Sequence, residues 1–246
     1  MTVLPFPVYT LPVAAILVTV GASMTLIERR RPAWRRSESP AWWSRALLFN
    51  ALQLGFVALG VTFWQGVHST PVLSVSGHGW LSVSAGYLLM TFVNYWWHRA
   101  RHRLGLLWRS LHRLHHSPTR VEVLGTFYKH PLEMILQAAL ASLLLHNALG
   151  LGVVEVSVVV LLAGLAGLFT HANVRTPRWL GWFITRPEMH RLHHARGLHH
   201  YNYSDLPLWD ALFGTLRNPH HDVPLCGFPE EAKVGRLLFG RGVKEV

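Results

Sequence analysis

The chain has 246 residues, half of them hydrophobic and only 14% charged, too apolar a balance for an ordinary soluble domain. Its net charge of +11 invites a nucleic-acid reading, but all 23 Lys and Arg residues fall within 29–45, 99–129 and 175–244, and residues 46–97 carry no charged side chain; a basic face tracking a phosphate backbone is excluded. The single cysteine, Cys226, excludes an internal disulfide framework and any cysteine-built zinc or iron–sulfur site.

A membrane-spanning helix needs about 20 apolar residues. The first candidate, 8–27, ends in Glu28 and three arginines, has no basic start or small-residue cleavage site, and is expected to stay as a first span bent or shortened at Pro12. Further candidates follow at 46–64, 79–97, 132–148 and 152–170; the fourth is short enough to be tilted or re-entrant. If the arginine-rich segment 29–45 lies in the cytoplasm, segments 98–131 and 175–246 return to the same side, and that is where the remaining basic residues are. The expected fold is all-α: an integral membrane bundle of four to five membrane helices under a helical, histidine-rich cytosolic cap. Trp42, Trp43, Trp96, Trp97, Trp108, Trp179 and Trp182 sit beside the predicted membrane ends, as an interfacial belt does.

Three histidine clusters fall at the predicted cytosolic face. His98 and His102 are four apart; His112, His115 and His116, and again His190, His193 and His194, repeat the i, i+3, i+4 spacing that puts side chains on one helix face. Neutral imidazole is the commonest side-chain metal ligand. Eight such rings on one side of a membrane point to a site for two transition-metal ions, each cluster aiming its rings one way. His171, at the end of the fifth span, is either a further ligand or a helix-end residue; of His199 and His200 in the loop after the last cluster, His200 is the stronger candidate to complete the shell. His130, before Pro131, is expected to cap or border the site; His68, His78 and His146 lie toward the opposite face, and His220 and His221 on the surface. An all-nitrogen site accepts iron, zinc, copper or cobalt, so the ligand types alone leave the metal open. Asp205, Asp210, Glu188, Asn173 and Asn202 are available to receive the second ring nitrogens.

These residues resemble the fatty acid hydroxylase/sterol desaturase superfamily of integral-membrane di-iron enzymes, whose pattern is H-x3-4-H followed by two H-x2-3-H-H boxes. The context agrees: Tyr95, Trp96 and Trp97 before His98, Leu107 and Trp108 before the second box, Thr170 through Asn173 and Pro177, Trp179 and Leu180 before the third, then Asn202 and Tyr203 and the stretch from Trp209 to Thr215. The resemblance covers about 85–218. It departs from the family at Thr91, where an aspartate is common two helical turns before the first box; Asn94 is the candidate substitute. It implies N-terminal membrane helices and a basic loop over 1–78, a catalytic domain over 79–218 and a tail over 219–246. It further implies two iron ions held by His98, His102, His112, His115, His116, His190, His193 and His194, to which the candidates His171 and His200 are added. The implied reaction is O2-dependent oxidation of a lipid C–H bond to an alcohol or a double bond. An external ferredoxin- or cytochrome-type donor must supply electrons, since the chain has neither a heme-attachment motif nor a Rossmann glycine motif.

Two other readings are weaker. A zinc-dependent membrane hydrolase generally uses three protein ligands and an open position per metal, and no His-Glu-x-x-His motif is present. A non-enzymatic heme carrier needs two histidines, and a metal transporter places its ligands near mid-membrane rather than at helix ends.

Overall fold

The computed structural model describes residues 7–34, 41–66, 70–220, 225–229 and 233–241, and these contain helices and turns but no strand; Ala195 and Cys226 form one isolated bridge. All five predicted apolar stretches are helical. Helix α1 (Pro7–Arg30) continues through Pro12, and α2 (Trp42–Gly66) follows. Helix α3 (Trp80–Arg103) extends beyond its apolar part and carries His98 and His102 on its last turns. Next come α4 (Gly105–Leu107), a π-helical turn (Trp108–His112) and α5 (Arg113–His116), which stops before Pro118 because the residue ahead of a proline is disfavoured in a helix. Helix α6 (Pro131–Ser142) starts with proline in its first turn, where the missing N–H costs nothing, and widens into a π segment (Leu143–Ala148). Helix α7 (Val153–His171) ends at a histidine; the short α8 (Pro187–His193), α9 (Pro207–Leu212) and α10 (Val234–Leu238) complete the fold.

Two helical stretches among the described residues, Leu11–Arg30 and Val153–His171, are long and apolar enough to cross a membrane. They pack on one another through small residues: a Cβ added at Gly164 would lie 2.8 Å from Leu17 Cδ2. Close approach of this kind is how helices associate where no water drives them together. Large apolar side chains such as Leu11, Ile27, Leu48 and Val154 stay exposed along the long helices, an arrangement that suits lipid better than water.

The N-terminal helix is locked to the histidine-bearing loops by a buried carboxylate. Glu28, which the sequence suggests as a mere end of span, accepts from Val123 N at 3.2 Å and Asn173 N at 2.8 Å. The tryptophans divide. Trp43, Trp96, Trp179 and Trp182 are exposed as a belt requires, but Trp42 is buried in a core with Phe49, Tyr128, Met134 and Phe228 and donates to Glu122, and Trp108 packs against the rings of His102 and His116. Cys226 is a buried thiol whose Sγ donates to Arg191 O at 3.5 Å, and burial pushes its ionisation up to about 11.

A C-terminal strap closes over the end of the second histidine cluster. Phe228 N donates to Ser117 O at 2.9 Å, and Gly227, at φ +70°, passes so near Pro118 that a Cβ would lie 2.3 Å from its carbonyl. Gly227→Ala is therefore expected to destabilise the fold by about 1–3 kcal/mol, combining a left-handed backbone with overpacking. Thermal unfolding in detergent checks it, with Gly197→Ala, also at positive φ but with open space around it, as the milder comparison.

Candidate metal centre

Nine imidazoles from four stretches of chain converge. One group is His98, His102, His112, His116 and His193; the other is His115, His171, His190 and His194; within each, the candidate donor atoms all lie within 4.8 Å of one another. The two groups abut, with the rings of His116 and His194 stacked at 4.1 Å. The expectation that each cluster aims its rings in one direction is corrected here. His112 and His116, four apart, share a group while His115 turns to the other; His190 and His194 share a group while His193 crosses over. The physical reason is the 100° advance per residue: i and i+4 nearly superpose, whereas i+3 lies to the other side of the stripe. The π-helical turn through His112 widens the spacing further, as such turns do at functional sites.

His200 joins neither group and is exposed. His199 is the loop residue that turns inward: its Nδ1 faces His193 O at 3.0 Å and its ring lies 4.9 Å from that of His116. His171 falls in the second group. His130 caps α6, its Nδ1 accepting from Leu132 N at 3.1 Å. His78 and His220 are exposed, His146 faces Leu151 O in the π segment, and His68 and His221 lie outside the described residues.

Backbone carbonyls set the ring orientations. His98 Nδ1 donates to Tyr203 O at 2.7 Å, His193 Nδ1 to Tyr201 O at 2.8 Å, His171 Nδ1 to Gly167 O at 2.9 Å and His115 Nδ1 to Tyr128 O at 3.3 Å. Each neutral ring so tied presents a bare Nε2 lone pair. The Nε2 atoms of His115 and His171 face one another at 3.4 Å, and His193 Nε2 and both nitrogens of His116 are buried without a partner. Buried lone pairs pointed at each other are unfavourable unless a cation lies between them. Nearest donors in the cage are 2.9–3.4 Å apart. Bonds of about 2.1 Å at right angles on one ion would put neighbouring donors about 3 Å apart. The donor set therefore fits transition-metal ions, with five nitrogens in one group and four in the other.

The residues after α8 that resembled a family signature act through the backbone. Asn202, at φ +55°, donates to Met189 O and Arg217 O, and Asp210 accepts from Tyr203 N, Ser204 N and Thr215 Oγ1 at 2.7–2.9 Å. They hold the Tyr201 and Tyr203 carbonyls where His193 and His98 need them. Glu188 and Asn173 instead clamp loops, the first to Thr176 and the second to Trp34, and Asn94 bonds Gln137 rather than a ring; none of the three receives an imidazole nitrogen. One carboxylate does, and the sequence reading missed it: Glu133 faces His112 Nδ1 at 3.0 Å and pairs with Arg101, all three buried. A lone acid at the start of an apolar span was the available signal.

Burial, reinforced by neighbouring rings, holds His112, His115, His116, His190 and His194 well below the ordinary imidazole range, and burial takes His193 down to about 3. Neutral rings are the ligating form. The unfolded chain, with ordinary imidazoles, binds more protons, so native stability is complete above about pH 6.5 and falls with acid down to about 3. Melting temperatures of metal-free protein are expected to drop steadily between pH 7 and 4.5; a flat profile would contradict the burial of these rings in neutral form.

A cavity of about 710 Å³ opens from the cage, with His98, His112, His115, His171 and His190 at one end. Its walls are mostly apolar, from α1, α2, α6 and α7, including Leu17, Leu54, Ala138 and Val160. This is a volume and lining suited to a small apolar molecule.

Helices that gather imidazoles into two adjoining nitrogen cages at the end of an apolar cavity define a class of helical protein with a histidine-built, metal-competent centre. Residues 83–215 match the family model described as fatty acid hydroxylase, and the chain belongs to that family. It is 30% identical over 258 aligned positions to ornithine lipid hydroxylase OlsE of Rhizobium tropici, covering 94% of this chain and 77% of that protein. It is 32% identical over 162 positions to the Delta(7)-sterol-C5(6)-desaturase of Nicotiana tabacum, and 25% identical over 134 to sphingolipid C4-hydroxylase sur2 of Schizosaccharomyces pombe. Those two alignments cover 59% and 53% of this chain, and 54% and 46%, about half, of the relatives' own lengths. No solved structure matches.

Proposed function

We propose that this protein is a membrane enzyme that uses two iron ions and O2 to hydroxylate or desaturate a lipid. The observation that carries the reading is the meeting of two nitrogen cages with an apolar cavity at a single surface. The lipid- and sterol-modifying relatives and the exposed apolar helices support membrane association. On this reading four to five helices cross the bilayer, and the basic segments keep the histidines at the cytoplasmic face.

His98, His102, His112, His116 and His193 would hold one ion, and His115, His171, His190 and His194 the other. Iron so bound supplies the reduction of O2 and the removal of hydrogen from an unactivated C–H bond. The chain's own part is positional. The cavity wall takes the lipid's apolar portion and excludes water, leaving the carbon to be oxidised against His98, His115 and His171. The tyrosine carbonyls, Gly167 O and Glu133 fix the tautomers of His98, His112, His115, His171 and His193 so that each presents a lone pair inward. Electrons come from an external ferredoxin- or cytochrome-type protein.

The test is a lipid profile of cells with and without the intact gene, alongside metal analysis of purified protein. A lipid heavier by one oxygen or lighter by two hydrogens, its formation requiring O2 and about two irons per chain, is the expected result. O2-independent hydrolysis with zinc bound would replace this reading with a hydrolase.

A further inference from the structure

Two charged side chains at the cage end of the cavity have no part in the chemistry above. Lys129 and Asp205 both line the wall beside His98, His112, His115 and His171. Each comes from a loop that also receives a cage histidine: Lys129 follows Tyr128, whose carbonyl takes His115, and Asp205 follows Tyr203 and Ser204, the first of which takes His98. Neither side chain reaches a hydrogen-bond or ion-pair partner among the described residues, so the two do not pair with each other. Arg101, the other cation in the lining, is already committed to Glu133. Burial depresses Lys129, an effect that Arg101 reinforces and the charges of Glu133 and then Asp205 partly offset; burial lifts Asp205 to about 6, partly offset by Lys129. A cation and an anion left uncommitted in a cavity that is otherwise mostly apolar are costly unless something completes them. The complement is a molecule with an acid for Lys129 and an ammonium for Asp205, joined to an apolar body for the rest of the cavity.

We infer that Lys129 and Asp205 bind a lipid head group that carries both an acid, carboxylate or phosphate, and an ammonium. The oxidised carbon then belongs to the head group or to the chain segment next to it, not to the far end of the chain. The second statement rests on the proposed oxidation; the first does not, because head-group binding needs no metal.

The test uses full-length, metal-free protein in uncharged detergent and measures binding of three probes with one acyl chain. These are N-hexadecanoylornithine with both charges, its methyl ester lacking the acid, and N-hexadecanoylnorvaline lacking the ammonium; lysophosphatidylethanolamine is added to distinguish a phosphate from a carboxylate. The expected result is binding of a doubly charged probe about tenfold or more tighter than either singly charged one, since charge-assisted hydrogen bonds are the stronger class. Lys129→Met should erase the preference over the methyl ester and keep that over the norvaline derivative; Asp205→Asn should do the reverse. A merely structural role cannot produce this crossed pattern. Equal binding of all probes to the unaltered protein, or variants that weaken every probe alike, would overturn the inference. Intact head-group preference in a protein that never oxidises lipid would sink the oxidase reading alone, and oxidation of lipids regardless of head group would sink this one alone.

Discussion

His115→Ala is expected to leave purified protein with about one metal ion per chain in place of two and to reduce lipid oxidation at least about a thousandfold, more than about 4 kcal/mol of transition-state stabilisation. His115 is one of only four nitrogens in its group, and removing it also frees Tyr128 O in a buried place. The neighbouring His116→Ala should instead weaken metal binding at the other group, which keeps four of its five nitrogens, and leave the His115 group filled, although the residues are adjacent in sequence. Metal analysis and a spectroscopic metal replacement that distinguishes five- from four-nitrogen environments separate the two. His200→Ala should match the unaltered protein in metal content and turnover, because its ring is exposed and outside both groups. If His200→Ala instead lost metal, the two-group assignment would fail.

Glu133→Ala should cost about 3–5 kcal/mol of stability, the usual consequence of stripping one partner from a buried ion pair, here leaving the Arg101 guanidinium alone. It should also weaken metal binding about 10- to 100-fold by removing the acceptor that orients His112. The two effects are separable. Arg101→Met combined with Glu133→Leu removes both charges and should recover much of the stability, since apolar replacement of a buried pair is often neutral. It should leave metal affinity low, because His112 still lacks its acceptor. Recovery of both properties together would show that Glu133 serves the fold and not the ligand.

The helical character, the five apolar stretches and eight of the nine cage residues were legible as spacing, because helical periodicity depends on neighbours within a turn or two. His171 was legible only as one of two alternatives, since a histidine at a helix end has no local pattern to distinguish a ligand from a cap. His200 was preferred over His199 for the same lack: in a short loop, which ring turns inward depends on one backbone contact, His199 with His193 O. Trp42 read as a membrane-edge residue because it precedes an apolar run, and only packing against Phe49 and Tyr128 places it in the core.

From the chain alone came the element types, the family resemblance and the inventory of donors, all consequences of local periodicity and residue chemistry. Tertiary structure decided the partition: which histidines share a cage, that each H-x-x-H-H box is split between two groups, and that Glu133, Tyr128, Tyr201 and Tyr203 orient the rings. Those choices turn on contacts between segments up to 105 residues apart. A helix sets only the angle at which its side chains leave, and what they meet is set by the packing of the others.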